Sequence, residues 1–122
     1  MSDELAYERI EKLTADEYVT AFRAIAERMT VYELLMLQAH YKSPKQVITA
    51  TELANKVGFP HYQTANSLYG RLASKLLEFF QIQLTEWVKI NVLVKLNNPN
   101  DEWEWTLRPQ VAQALEKLKW VS

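Results

Sequence analysis

The stretch ITATELANKVGFPHYQTANSLYGRL, residues 48–72, decides the fold that we predict for this chain. Thr49 and Glu52 have the spacing of a capping box, in which the threonine side chain and the glutamate side chain each accept from the other residue's backbone amide. A short helix over residues 50–57 is expected to follow. Gly58 then suits the left-handed position that ends many helices.

A longer helix is predicted from Pro60 to about Phe80, because proline is tolerated in a first helical turn. Its apolar residues recur at three- and four-residue steps, which is typical of an amphipathic helix. Gly70 inside this helix costs about 1 kcal/mol relative to alanine. We therefore expect another backbone to approach closely at Gly70.

Two further Thr-x-x-Glu patterns, Thr14–Glu17 and Thr30–Glu33, predict helix starts upstream. Helices are expected at about residues 3–13, 15–29 and 31–42. The segment SPKQ at 43–46 breaks the helical pattern.

The period of the apolar residues changes to two after Leu84. WVKINVLVKL at 87–96 and EWEWTL at 102–107 both alternate, and the turn sequence NNPND separates them. Together they predict an antiparallel hairpin. QVI at 46–48 can supply a small third strand, and Arg108–Pro109 opens a last helix.

The fold class predicted is mainly α with a small antiparallel β-hairpin (α+β). The order of elements is that of a winged helix-turn-helix preceded by two N-terminal helices. At this length we expect one domain, divided into an N-terminal helical extension (1–30), a helix-turn-helix core (31–80), a wing hairpin (86–107) and a C-terminal helix (109–119).

The composition disfavours several classes of function. With 0 Cys there is no disulfide framework or thiolate metal site, and the only histidines, His40 and His61, lie far apart in sequence. Two glycines cannot form a phosphate-cradling loop, and no acid pair stands out. We expect no catalysis, no cofactor and no metal. The acidic, helical N-terminus is unlike a signal peptide, so a cytoplasmic location without membrane attachment is expected.

Charge is distributed unevenly along the chain although the net charge is −1. Residues 1–33 hold eight acidic and four basic side chains, whereas residues 40–95 hold seven basic and three acidic ones. The basic middle of the chain favours DNA. A helix inserted in the major groove contacts base edges from its first turns and phosphates further along. The base-edge candidates are His61, Tyr62, Gln63, Thr64 and Ser67, and the phosphate candidates are Arg71, Lys75 and Lys95.

Four tryptophans, Trp87, Trp103, Trp105 and Trp120, lie late in the chain. We expect them to form a core beneath the hairpin. The alternative is a surface pocket that stacks a base.

A resemblance to a known family rests on short pieces of the same region. The matching pieces are HY at 40–41, TAT at 49–51, LA at 53–54, VG at 57–58, Tyr62, AN at 65–66, YGRL at 69–72 and WTLRPQVAQALEKLKWV at 105–121. Over about residues 39–121 the chain resembles a module at the front of bacterial HNH-type restriction endonucleases. The histidines of the HNH nuclease part are missing. The resemblance therefore implies target recognition in a restriction or defence system without cleavage.

Two functions are consistent with the sequence. The first is a non-catalytic winged-helix module that binds duplex DNA. The second is a regulator or inhibitor that docks on a nuclease, as phage anti-defence proteins do, and the acidic residues 1–33 favour it. The sequence does not determine the oligomeric state.

Overall fold

The computed structural model describes residues 3–122, which form six α-helices and a small sheet. The helices are α1 (Glu4–Lys12), α2 (Ala15–Ile25), α3 (Val31–Lys42), α4 (Ala50–Val57), α5 (Tyr62–Phe80) and α6 (Pro109–Leu118). The strands are β1 (Val47–Thr49), β2 (Val94–Asn97) and β3 (Glu104–Leu107). Short 3₁₀ helices cover Ala26–Arg28, Pro44–Gln46 and Glu86–Val92. The predicted α+β class is confirmed.

Capping boxes begin three helices at the predicted positions. Thr14, Thr30 and Thr49 each accept from the amide of the glutamate three residues on, at 3.1 Å in every case. Each glutamate side chain accepts from the threonine amide in return. α4 ends at Gly58, whose φ of +92° is left-handed. These predictions hold because caps satisfy the helix-end backbone groups with residues nearby in sequence.

The three strands form one antiparallel sheet in the order β1-β3-β2. Trp105 of the central strand pairs with Ile48 on one side and with Leu96 on the other. The hairpin and the third strand predicted near residues 46–48 are therefore both present.

The prediction of a strand across 87–96 is wrong for most of its length. Residues Glu86–Val92 form a 3₁₀ helix (the 3₁₀ segment), and only Val94–Asn97 pair with β3. The partner strand has four residues, so residues further upstream have no ladder to join. Instead Asn91 donates to the Val88 carbonyl at 2.8 Å, which is a local bond that competes with strand pairing.

The N-terminal helices are part of the central core. Phe22 and Tyr18 of α2 are completely buried. The Tyr18 hydroxyl donates to the carbonyl of Val92 at 2.6 Å, and Trp120 packs edge-on against Phe22 with ring centroids 5.5 Å apart. Residues 3–30 thus contribute part of the core that supports the sheet. No helix in residues 3–122 is long and apolar enough to cross a membrane.

Gly70 has no close neighbour, so the expectation of a tight backbone contact is wrong. A Cβ placed on Gly70 meets no atom within 4 Å. The residue lies instead on an open groove beside α5. Because Gly70 has no side chain, it leaves space in that groove. The packing of the helix does not require a glycine at this position.

The sequence suggested that Lys75 is free on the polar face of α5. In the structure its ammonium group is instead bound to other residues. Its Nζ is 2.9 Å from Oε1 of Glu33 and donates to the carbonyl of Arg28 at 2.8 Å. The Glu33 side chain is completely buried and also closes the capping box of α3. Lys75 therefore joins α5 to the start of α3, because a buried carboxylate requires a cation and hydrogen-bond donors.

Replacing Gly70 by alanine should stabilise the protein. The Cβ meets open space, so only the helix propensity changes, and the free energy of unfolding should rise by about 1 kcal/mol. Gly58→Ala is the control and should destabilise, since a non-glycine residue at its positive φ costs about 1–2 kcal/mol. Urea denaturation measures both, and a destabilised Gly70→Ala variant would contradict the open site.

Lys75→Met should destabilise the protein because it keeps the aliphatic stem but leaves the Glu33 carboxylate buried without its cation. We expect a loss of about 3 kcal/mol, at the lower end for a broken buried pair because Lys75 retains some solvent contact. Arg71→Met is the matched control and should change stability by less than about 0.5 kcal/mol, as expected at an exposed site. Similar denaturation midpoints for the two variants would show that the pair contributes no stability.

Candidate functional site

A groove of about 1190 Å³ lies between α5, the 3₁₀ segment and the β2–β3 hairpin. It is larger than the second pocket found in residues 3–122, which has about 240 Å³. Aromatic rings, small polar side chains and charged groups all line it. Mixed concave surfaces of this kind are where proteins bind ligands.

One wall of the groove is a stripe along α5. Tyr62, Asn66, Gly70 and Ser74 follow one another at four-residue steps, and Ser67 and Arg71 lie beside them. Residues spaced in this way share one face of a helix. Arg71 is exposed and makes no hydrogen bond or ion pair with residues 3–122, so its guanidinium group is available to a ligand.

The opposite wall carries two exposed tryptophans. Trp87 of the 3₁₀ segment is 83% exposed and Trp103 of the hairpin is 54% exposed. The expectation that all four tryptophans form a core is therefore wrong for these two. Trp105 is buried and Trp120 is partly buried, as predicted. Trp87 lies in a 3₁₀ helix and not in a strand. The alternation of apolar residues in the sequence therefore did not predict its exposure.

Several bonds hold the 3₁₀ segment in place beneath Trp87. Arg108 donates through Nε to the Asn91 carbonyl at 2.5 Å and through Nη1 to the Glu11 carboxylate at 2.9 Å. Lys89 lies 2.7 Å from a carboxylate oxygen of Glu86 and donates to the Ser74 hydroxyl at 3.3 Å. The wall of the groove that bears Trp87 is thus tied to α5 and to α1.

The hairpin tip is joined to α4 at one end of the groove. The Thr51 hydroxyl donates to Oε2 of Glu102 at 3.1 Å. Asp101 also lines the groove and has no polar partner among the residues described. Polar acceptors therefore lie close to the Trp103 side of the groove.

The charge of the groove differs from that of the chain segment around it. Three carboxylates, those of Glu86, Asp101 and Glu102, line the groove together with the single guanidinium of Arg71. Lys89 neutralises Glu86, which leaves an excess of negative charge. The basic excess of residues 40–95 is therefore not concentrated in the groove.

The structure separates the predicted interface residues into three groups. Tyr62, Ser67 and Arg71 line the groove. His61 and Gln63 are exposed at the start of α5, and Thr64 is half-buried there. Lys75 and Lys95 do not line the groove. Lys75 is paired with Glu33.

Lys95 is on the opposite side of the sheet from the groove. Its neighbour Leu96 lines the groove, and successive residues of a strand point to opposite faces. The hydrogen bond from Arg108 lowers the pKa of Glu11, and burial opposes this effect. The charges of Arg108 and Lys95 lower the pKa further. Lys95 therefore acts near α1 and does not extend the basic surface of α5.

A buried histidine lies behind the groove. His40 is completely buried, with Nε2 2.8 Å from the carbonyl oxygen of Trp105 and Nδ1 2.9 Å from the hydroxyl of Tyr69. A carbonyl oxygen only accepts, so Nε2 carries the proton and Nδ1 accepts from Tyr69. The Tyr69 ring in turn stacks on Trp105, with centroids 5.3 Å apart. This network fixes the hairpin against α5.

Burial lowers the pKa of His40 to about 4, against the smaller opposite effect of the hydrogen bond to the Trp105 carbonyl. The imidazole is therefore neutral at pH 7. Burial also raises the pKa of Tyr69, so its hydroxyl keeps the proton that it donates. No group of three or more potential metal ligands occurs within residues 3–122.

Sequence reasoning missed most of the groove. Asn66, Gly70 and Ser74 could have been found by extending the polar stripe of α5 by four-residue steps. For Trp87 the sequence left a core and a base-stacking surface pocket as alternatives, because its exposure depends on where β2 begins. Thr51 and Glu102 are 51 residues apart in the chain, and no local pattern connects them.

Lowering the pH should weaken the His40 network. The folded protein holds His40 at a pKa of about 4, whereas the unfolded chain titrates near 6.5, so the unfolded state binds more protons in this window. Stability is full above about pH 6.5 and falls as the pH drops towards 4. Between about pH 7 and pH 5 the free energy of unfolding should decrease by about 2 kcal/mol from this group.

Urea denaturation at the two pH values measures this loss. His40→Gln should remove most of the pH dependence and lower stability at about pH 7. His61→Gln, a change at the exposed histidine, should keep the dependence of the wild-type protein. A wild-type curve that is flat across this window would contradict the neutral, buried imidazole.

Comparison with known proteins assigns no family to this chain. No protein-family model, curated protein or solved structure matches it. The groove, the exposed face of α5 and the charges around them are the features that bear on its function.

Proposed function

We propose that this chain is a winged helix-turn-helix module that binds duplex DNA through the first half of α5. The observation that carries the proposal is the uncovered polar face of α5, with the β2–β3 hairpin beside it. The order α3, β1, α4, α5, β2, β3 and the sheet order β1-β3-β2 agree with this fold. In such modules the second helix of the motif enters the major groove, and the hairpin lies alongside.

The first turns of α5 carry side chains suited to base edges. His61, Gln63 and Asn66 are exposed, and none of the three side chains makes a hydrogen bond within residues 3–122. A glutamine or asparagine amide can pair with adenine through two hydrogen bonds. These side chains are therefore free to read sequence.

Phosphate contacts would come from a small number of groups. Arg71 is the exposed cation on this face of α5. His61 gives no side-chain cap to the helix, and the Thr64 amide donates to the His61 carbonyl, so the amides of Tyr62 and Gln63 remain available to a phosphate oxygen. With Lys75 and Lys95 engaged elsewhere, we expect modest affinity with a shallow dependence on salt.

The resemblance to the HNH-associated module supports a recognition role without catalysis. We infer that this chain targets DNA within a restriction or defence system, and that cleavage is carried out by another protein. The pairing of a recognition module with a separate nuclease requires no catalytic group in this chain.

A second candidate function is docking on a protein, and the exposed face of α3 favours it. Val31, Tyr32 and Leu35 are 65%, 51% and 42% exposed, and Tyr32 packs against Phe59 with centroids 5.6 Å apart. Exposed apolar clusters mark interaction sites. If the protein binds no duplex at low salt, and a stoichiometric nuclease partner is lost in Leu35→Glu, this candidate replaces the first.

Two substitutions on α5 should affect DNA binding in different ways. Gln63→Ala should weaken discrimination between sequences by about 1–3 kcal/mol per lost bidentate contact, with little change for non-specific DNA. Arg71→Ala should weaken binding to all duplexes alike and reduce the slope of log K against log salt by about one unit. Fluorescence anisotropy at several salt concentrations measures both effects.

Arg23→Ala is the matched control, because Arg23 is an exposed arginine on α2, and it should leave both affinity and slope unchanged. Lys95→Ala should behave like this control, since Lys95 lies across the sheet. Equal salt slopes in wild type and Arg71→Ala would show that α5 does not dock on DNA.

A further inference from the structure

We propose that the groove between α5 and the hairpin receives one unpaired nucleobase, which stacks on Trp87 and Trp103. This inference rests on the proposed DNA binding and names the part of DNA that the groove takes. A base within a duplex has its faces covered by its neighbours. It reaches an aromatic pocket only when it swings out of the helix.

Two exposed indole rings in the groove support the stacking of a base. Trp87 and Trp103 line the same groove with 83% and 54% of their area exposed. Neither ring is paired with another aromatic ring of residues 3–122, unlike Trp105 and Trp120. Open indole faces are stacking surfaces for flat rings, and bases use such surfaces in many nucleic-acid-binding proteins.

The polar groups of the groove match the edge of a base. Asn66 offers N–H donors from α5, and Asp101 and Glu102 offer acceptors from the hairpin. A base edge presents both kinds of group, and exocyclic amino groups of adenine and cytosine donate to carboxylates. The groove therefore favours a base that carries an amino group.

The carboxylates of the groove disfavour a nucleotide phosphate inside it and favour the uncharged ring of the base. The carboxylates outnumber Arg71, so a phosphate inside the groove would be repelled while a neutral ring would not. The phosphates would then remain at the rim, against the exposed Arg71 and the first turn of α5. The volume of about 1190 Å³ exceeds the usual range for small-ligand pockets, about 300–1,000 Å³, and leaves room for a base with its sugar.

Gly70 widens the groove at this point. A larger side chain there would extend into open space, so Gly70→Leu should fill the groove without a clash at its Cβ. This gives a variant that blocks the site while the fold is retained.

The experiment compares a short matched duplex with the same duplex carrying one unpaired adenine. Wild type should bind the second at least about fivefold more tightly, the lower end of what one stacked base contributes. Trp87→Ala and Trp103→Ala should remove this difference and leave the matched duplex unaffected, and Gly70→Leu should also remove the difference. Phe79→Ala is the control, because Phe79 is a 41% exposed aromatic residue that does not line the groove.

Equal affinity of wild type for the two duplexes overturns the base site while the proposed DNA binding stands. If neither duplex binds, the proposed function fails, and adenosine becomes the probe. Shifts of the Trp87 and Trp103 indole N–H signals in NMR spectra, with Trp120 unchanged, would then support the site. Absence of those shifts would overturn it.

A cationic ligand is the remaining outcome, since tryptophan faces beside carboxylates also suit a quaternary ammonium group. A trimethyl-lysine peptide serves as the probe for it. If that peptide shifts both indole signals and adenosine does not, the groove binds a cationic side chain of a protein, and the base site is overturned.

Discussion

The structure depends on the neutral imidazole of His40, buried between three elements. Its two nitrogens bond to Tyr69 of α5 and to the backbone of Trp105 in β3, while the residue itself belongs to α3. Both bonds have fixed direction, because one partner only accepts and the other donates. A side chain with a different shape or protonation state would leave a buried polar group unsatisfied. His40 therefore fixes the middle of the hairpin against α5, and the width of the groove depends on it together with the bond between Thr51 and Glu102 at the hairpin tip.

The features that break local rules collect at the groove. Gly70 weakens the middle of a long helix without a packing reason, and two large aromatic side chains remain in water. The 3₁₀ segment interrupts a sequence that alternates like a strand. Natural sequences agree with their fold at most positions and depart from it where function requires. The concentration of such departures on one surface is the reason to regard the groove as a binding site.

The positive charge of the middle of the chain is not gathered on one surface. Lys75 neutralises a buried glutamate, and Lys95 lies across the sheet towards Glu11. Lys75 and Lys89 form ion pairs, Lys95 lies on the other side of the sheet, and the groove keeps an excess of carboxylates. This arrangement is consistent with phosphate contacts at the start of α5 and a neutral ring in the groove. The start of α5 would then bind phosphate, and the groove beside it would bind an uncharged ring.

The sequence by itself determined the helices, the turn at Gly58 and the existence of the hairpin. Capping boxes, the left-handed glycine and the apolar period act between residues close in the chain, so one sequence suffices to read them. Only the tertiary structure decided where β2 begins, because that depends on the length of β3, which it must pair with. The exposure of Trp87, the open space at Gly70 and the engagement of Lys75 with Glu33 follow from contacts between distant residues. The polar stripe of α5 was readable in advance, but the groove that it lines required the packing of the hairpin on His40.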